Sequence, residues 1–314
     1  MSAPCPLCGA ESRPHCSKGG FTFVRCRACG LTRVEPLPSP EEIEAYYRRG
    51  YDQFRYSFAT PDAAPPERKM EELDILERYG VRGALLDVGS AHGHFMENAG
   101  RHGWRAEGVE PQEKARNDAL RRFGRTVYAA LEDAPRGAYD AVTMWHVIEH
   151  IADPEAFLRA AGERLRPGGV LALATPNIDS LVARATGESW GWLSPPDHLF
   201  LYSPRTLPRL LERNGFEVLL VRTRRGESRN FLFLMLQAAA HRLGLFDRAK
   251  RSVADAVERQ RTAPAGKKPF SALRAAEQMT EGLSVILTPL LRVTWSMGLG
   301  DEVLAVARRR NTAS

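Results

Sequence analysis

Beyond residue 29 the chain contains no cysteine, although it runs to 314 residues. Its five cysteines, Cys5, Cys8, Cys16, Cys26 and Cys29, are crowded at one end, and an odd number so placed argues against a disulfide framework. No apolar run reaches the roughly 20 residues that a membrane span needs. The opening "MSAPCPLCGA" has neither the basic start nor the apolar stretch of a secretory signal, so a cytoplasmic location is expected. Neither sign of charge dominates: 44 Lys and Arg face 38 Asp and Glu, a net +6. The basic clusters "RTRR" (222–225) and "RRR" (308–310) are short and read as solvated faces, which disfavours nucleic acid as a partner. What remains, 43% hydrophobic and 26% charged residues, describes a globular chain long enough for a large core.

The cysteines themselves carry the first motif. "CPLCG" and "CRACG" are two C-x-x-C-G turns with 17 residues between them, a spacing that suits one four-thiolate zinc site. The glycines ease the tight bends. Cys5, Cys8, Cys26 and Cys29 are therefore the expected ligands of a zinc ribbon over residues 1–35, with "FTFVRC" as one strand of its hairpin. Four thiolates leave no open coordination position, so this zinc is expected to be structural. It would stand in for the core that so few residues cannot supply. Cys16 is left over and expected in a loop. A helical linker follows over 36–80. Ser39, Pro40 and Glu42 read as a capping box with proline at the first helical position. "YSFATPDAAPPERK" is loop, and "KMEELDILERYG" is an amphipathic helix stopped by Gly80.

"ALLDVGSAHGHFMENAGRHG" is then a strand, a glycine turn and a helix, and "WRAEGVEP" a second strand ending at Glu110. Glu110 lies 21 residues beyond Gly89, where a doubly wound sheet places an acid for ribose hydroxyls. The turn lacks the G-x-G-x-x-G spacing of dinucleotide binders. Two carboxylates, Asp87 and Glu110, would face the pocket, which suits a cofactor with hydroxyls and a positive charge better than a pyrophosphate.

The ordered segments "LLDVGSAHGHF", Glu110, "YDAVTMWHVIEHIADP", "LRPGGVLALATPN" and "PDHLFLYSPRTLPRLLERNGFEV" resemble the motifs of class I S-adenosylmethionine-dependent methyltransferases. They resemble most the bacterial branch that methylates sugars, quinone precursors and natural products. The resemblance implies an α/β, Rossmann-like seven-stranded fold, with its core over 81–229 and its last strand and tail in 301–314. It implies that Asp87, Gly89, Ser90 and Gly93 surround the methionine and ribose of the cofactor. Glu110 would take the ribose hydroxyls, and Leu131 and Glu132 would border the adenine. Ala91 stands where the family commonly has a middle glycine.

"MWHVIEHIADP" begins at the carboxyl end of the fourth strand, where open parallel sheets hold their active sites. On a helix His146, Glu149 and His150 would share one face; a short helical turn is expected there, before a helix capped by Asp153 with Pro154 at its first position. "WGWLSPPDHLFLYS" supplies Trp190, Trp192, His198 and Tyr202 as candidates to line an acceptor pocket. Two chemistries fit. In one, His146 or His198 is a general base for an already activated sulfonium methyl. In the other, Glu149, His150 and His198, with or without His146, bind a divalent metal that lowers a hydroxyl pKa. H-x-x-E-H resembles the E-x-x-E-H of small-RNA 2′-O-methyltransferases and of quinone-pathway enzymes, but begins with histidine. Metal-free base catalysis is the preferred expectation.

Two strongly apolar segments, "NFLFLMLQAAAHRLGLF" and "EGLSVILTPLLRVTWSMG", form a helical insertion expected at 230–300 before the last strand. It is expected to cap the active site, with dimer packing or peripheral membrane contact as alternatives. The expected function is O-methylation of a small molecule, a sugar, glycan or natural-product intermediate. The alternatives are methylation of ribosomal RNA gripped by the ribbon, and a non-catalytic zinc-ribbon adaptor.

Overall fold

The computed structural model describes residues 3–43, 45–46, 66–79, 82–224 and 292–310. Residues 230–291 of the expected helical insertion, and 47–65 of the linker, lie outside the described residues. The chain divides into two compact units, one of Met1–Pro176, Ser194–Arg222 and Val303–Ser314, the other of Asn177–Leu193 and Thr223–Glu302.

The first unit opens with strands β1 (Ser12–Lys18), β2 (Phe21–Cys26) and β3 (Thr32–Val34). β1 and β2 form the expected hairpin, and β3 returns antiparallel to β2. Cys16 lies within β1 opposite Phe23, not in a loop, because the strand bulges after Pro14 to admit it. The capping box is present: the Ser39 amide donates to the Glu42 carboxylate at 2.7 Å, and the Glu42 amide to Ser39 Oγ at 3.2 Å.

A seven-stranded sheet follows, built from β4 (Ala84–Val88), β5 (Arg105–Val109), β6 (Val127–Tyr128), β7 (Tyr139–Trp145), β8 (Leu165–Pro176), β10 (Phe216–Arg224) and β11 (Glu302–Arg309). Their order is β10-β11-β8-β7-β4-β5-β6. β4 pairs parallel with β5 and β7, and β7 pairs parallel with β8. Successive strand residues serve opposite faces. Leu86, Val88, Val142, Met144, Leu171 and Leu173 enter one core cluster, while Leu85, Ala141, Val170 and Ala172 enter the other. Burial on both faces is why these strands read as continuous apolar runs. The helix Pro66–Arg78 covers one face with Leu73, Ile75 and Leu76, joined by Phe95, Met96 and Ala99 of the helix His94–Arg101. The helices Pro154–Arg164 and Thr206–Arg213 cover the other with Leu158, Leu207, Leu210 and Leu211. From β4 the chain winds outward through β5 and β6, then returns to the other side as β7 and β8. The reversal leaves a crevice beyond the carboxyl ends of β4 and β7.

β9 (Phe200–Leu201) belongs to neither hairpin nor main sheet order; it pairs antiparallel with β3 and completes a four-stranded sheet β1-β2-β3-β9. Within the second unit, the Asn177 side-chain amide donates to the carbonyls of Gly298 and Gly300 at 3.0 and 2.7 Å. There the buried Arg224 meets Glu302 at 3.0 Å.

Candidate active site

The turn after β4 is shaped by its glycines. Gly89 and Gly93 have φ of 74° and 79°, and Ala91 is held at 47°, a conformation that costs a side chain about 1–2 kcal/mol. The amides of Gly89 and Ser90 both donate to Val109 O, at 2.8 and 3.0 Å, which folds the turn against the end of β5. There Glu110 accepts the Ala91 amide on Oε2 at 3.0 Å and the Gln112 amide on Oε1 at 2.8 Å. A carboxylate oxygen has about two acceptor sites, so one per oxygen remains, as a ribose diol requires. Burial pushes the Glu110 carboxyl above its usual range, against the pull of the Gln112 and Ala91 amides. Asp87, also buried, accepts the Thr143 hydroxyl at 2.8 Å. Ser90 Oγ is buried at the turn without a hydrogen-bond partner among the described residues. This donor and acceptor set fits an adenosine cofactor. Leu131 is buried in the core and Glu132 is exposed, both in a 3-10 turn whose Asp133 carboxylate caps the Ala130 amide.

Beyond β7 the chain turns sharply. His146 has φ of 57°, and its amide donates to Ala174 O at 2.8 Å. The expected helical turn is a 3-10 turn over Ile148–His150, so Glu149 and His150 lie in it while His146 precedes it; the three do not share one helix face. They converge nonetheless. His146 Nδ1 stands 3.4 Å from Glu149 Oε1. The ligand atoms of Glu149, His150 and His198 lie within 4.8 Å of one another, and the two rings meet edge to face at 4.8 Å. Glu149 is wholly buried, and among the described residues neither carboxylate oxygen has a well-aligned hydrogen bond, His146 being its nearest partner. Burial would raise its carboxyl, but the surrounding imidazoles outweigh that and hold it below the usual range.

Asp197, which the sequence reading passed over, organises this group. His150 Nδ1 donates to its carbonyl oxygen at 2.9 Å and lies 3.0 Å from its Oδ1, while its Oδ2 is 3.8 Å from His198 Nε2. Against the opposing effect of burial, Asp197 and Glu149 lift His150 to about 9. Tyr46 joins from the linker: burial and the Asp197 charge raise its phenol, which also bonds Ser194. The only sequence hint of Asp197 is its place in "PPDHL". Tyr202 is buried, its hydroxyl pushed up by burial and by the Glu149 charge, and its ring stacks 6.2 Å from Phe200. Trp190, buried, and Trp192, half-buried, belong to the second unit. The cofactor turn and the catalytic turn touch: a methyl group on Gly89 would fall 2.5 Å from Val147 Cγ2.

At the other end, Cys5 and Cys29 sulfurs are 3.6 Å apart and Cys8 and Cys26 sulfurs 3.4 Å, all four within 4.8 Å of one another. A tetrahedral zinc with bonds of about 2.3 Å needs sulfurs about 3.8 Å apart. The Cys29 amide donates to Cys26 Sγ and the Leu31 amide to Cys29 Sγ, both at 3.5 Å. Burial opposes ionisation of Cys26, but the Cys29 and Ala28 amides bring it down to about 6, whereas burial holds the Cys5 and Cys29 thiols above their usual range; the fit to the ion rests on the sulfur spacing. These four thiols fit the ion.

Residues 55–221, just over half of the chain, match a family described as methyltransferase domain. The chain therefore belongs to that family. Among curated proteins it is similar to the ubiquinone biosynthesis O-methyltransferase of Sodalis glossinidius, 36% identical over 115 residues, covering 33% of this chain and 46% of that one. Its counterpart in Rhizobium leguminosarum is 30% identical over 149 residues, covering 43% and 59%. The chain spans about half the length of the curated relatives it matches. Among solved structures it is similar to the cyclase SpnF, with a TM-score of 0.52 at 17% identity, covering 88% of this chain and 98% of that one. A methyltransferase from Archaeoglobus fulgidus aligns with a TM-score of 0.48 at 18% identity, over 82% and 99%. At 17% identity the likeness to SpnF shows the fold alone. Among the described residues no helix is long and apolar enough to cross a membrane.

Proposed function

We propose that the chain transfers the methyl group of S-adenosylmethionine to a hydroxyl of a small-molecule acceptor, a phenol or sugar, beside a divalent cation held by Glu149, His150 and His198. The observation that carries the cation is Glu149, a fully buried carboxylate whose nearest partner is His146 Nδ1 at 3.4 Å and which, among the described residues, has no well-aligned hydrogen bond to either oxygen. Leaving a buried charged acceptor so poorly satisfied costs about 1–3 kcal/mol, and a cation would occupy its free acceptor sites and offset that cost. His150 supports the same reading. Its Nδ1–H is committed to Asp197, which turns Nε2 outward as a lone-pair donor, the usual arrangement behind a metal-ligating imidazole. With no cation, a pKa of about 9 keeps His150 protonated near neutrality, so the proton acceptor of this site is His146 or His198 rather than His150.

When bound, a hard divalent cation favours the ionised form of an acceptor hydroxyl. The chain's own groups do the rest. Glu110 and the glycine turn orient the nucleoside, Asp197 fixes the His150 tautomer, and His146, at the end of β7, receives the acceptor proton. Tyr202, packed beside Glu149, helps to wall the acceptor from water. Hydroxyl acceptors are favoured by the names of the relatives, which are O-methyltransferases of ubiquinone biosynthesis. Cys5, Cys8, Cys26 and Cys29 hold a structural zinc in the same proposal. The test is methyl transfer to a panel of phenols, catechols, sugars and structured RNA, with Mn2+ or Mg2+ present or withheld. Transfer to hydroxyl compounds is expected, lost in Glu149→Ala while cofactor binding persists. Transfer to RNA alone, or full activity in Glu149→Ala, would overturn the reading.

A further inference from the structure

We propose that the cysteine ribbon positions Glu149 and His198, so that the ion held by its thiolates governs the shape of the candidate active site. The proposal rests on the ribbon's zinc as read above, and not on which acceptor is methylated. Its basis is one residue. Leu199, directly after His198 and fully buried, has both backbone groups committed: its amide donates to Glu149 O at 2.8 Å, and its carbonyl accepts the Val34 amide at 2.9 Å. Val34 ends β3, so a single peptide segment is bonded to the ribbon on one side and to the catalytic turn on the other.

The ladder continues through Arg33 opposite Phe200 and Thr32 opposite Leu201. In its sheet, among the described residues, β9 is paired with β3 alone. A two-residue strand has no stability of its own; its place is set by its partner. β3 in turn begins three residues after Cys29. The knuckle before it is closed by the Cys26 amide on Leu31 O at 2.9 Å and by the Gly30 amide on Cys26 O at 3.1 Å. A metal that fixes Cys26 and Cys29 fixes where β3 starts. The ribbon is also docked by side chains. Cys5, Cys29 and Leu31 share one core cluster with Leu199 and Phe200, and Arg213 donates to Leu7 O at 2.6 Å. So small a module depends on its ion to fold, and without it Leu199 would lose its Val34 partner.

The experiment is amide hydrogen exchange on the full chain, with cobalt absorption as a monitor of the thiolate site. Cys8→Ser, at the exposed ligand, removes the ion. Val34→Pro keeps all four cysteines but deletes the amide that donates to Leu199. In both variants the Leu199 amide is expected to exchange about tenfold faster or more, the scale of one lost backbone bond and its neighbours. Amides of β8 should stay as slow as in the wild type, since β8 is held by its own ladder to β7. Mn2+ should bind less tightly at Glu149 in both, although Val34→Pro retains cobalt–thiolate absorption. Leu199 exchange as slow as wild type in either variant overturns the proposal. An absence of cobalt–thiolate absorption in the wild type removes the ion's part in it and the zinc assignment together, whereas unaltered Mn2+ binding with faster Leu199 exchange removes only the link to the active site.

Discussion

Replacing Gly89 with alanine should show whether the cofactor turn and the catalytic turn are mechanically one. Gly89 sits at φ 74°, where a Cβ costs about 1–2 kcal/mol. That Cβ would also lie 2.5 Å from Val147 Cγ2, with the Val147 Cβ at 3.8 Å. Valine is stiff at χ1, and its backbone follows directly on His146, itself held at φ 57°. The methyl has no easy retreat, and overpacking of this kind costs about 1–3 kcal/mol. Gly89→Ala is therefore expected to destabilise the protein by about 2–5 kcal/mol. Val147→Ala alone, at a half-buried position, should cost about 1–2 kcal/mol. In the double variant the collision is gone and only the backbone strain remains, so the two effects should fall short of additivity by about 1–3 kcal/mol. Urea unfolding of the four proteins, with unchanged denaturant slopes, measures this directly. Calorimetric S-adenosylmethionine binding should fall in Gly89→Ala and partly recover in the double variant. Additivity to within about 0.5 kcal/mol would refute the contact, and with it the idea that the cofactor turn presses on the segment carrying Glu149.

Glu110→Ala should weaken S-adenosylmethionine binding by about 1–3 kcal/mol, because the ribose hydroxyls lose their acceptor; calorimetry reads this, and wild-type affinity would show the assignment wrong. The same residue sets a pH dependence. Burial raises the Glu110 carboxyl above 4.5, and only its ionised form accepts from both hydroxyls, so cofactor affinity should fall as pH drops through a value higher than an ordinary glutamate's. In the cofactor-free protein the sign reverses: a raised folded-state pKa contributes stability below about 4.5 that is lost as pH rises through the folded value. Cys5→Ser and His150→Ala should separate the two proposed metal sites. The first is expected to abolish cobalt–thiolate absorption, while the second weakens Mn2+ binding and leaves that absorption intact.

Much of the fold was legible because it is written locally. Asp153 caps its helix by accepting the Ala156 amide three residues on, and Ser39 and Glu42 cap each other. The cysteine knuckles and the glycine turn likewise depend on neighbours a few residues away. The site was legible only in its short-range half. Glu149 and His150 are adjacent, but the Asp197 that orients His150 is 47 residues distant, and Tyr46 comes from the linker before the sheet begins. Nothing in "PPDHL" says which carboxylate will face which imidazole.

The sequence by itself determined the individual strands, the glycine turn and the thiol set, since periodicity, turn chemistry and ligand spacing are properties of contiguous residues; the seven-stranded class I arrangement was what the resemblance implied. Tertiary structure alone decided that β9 completes the ribbon's sheet, that Leu199 bridges Val34 and Glu149, and that Glu149 is buried among imidazoles without a well-aligned hydrogen bond among the described residues. Those outcomes depend on pairings between residues far apart in the chain, as Thr32 opposite Leu201 shows. Such pairings are chosen by which surfaces the whole chain can bury together, not by any local preference.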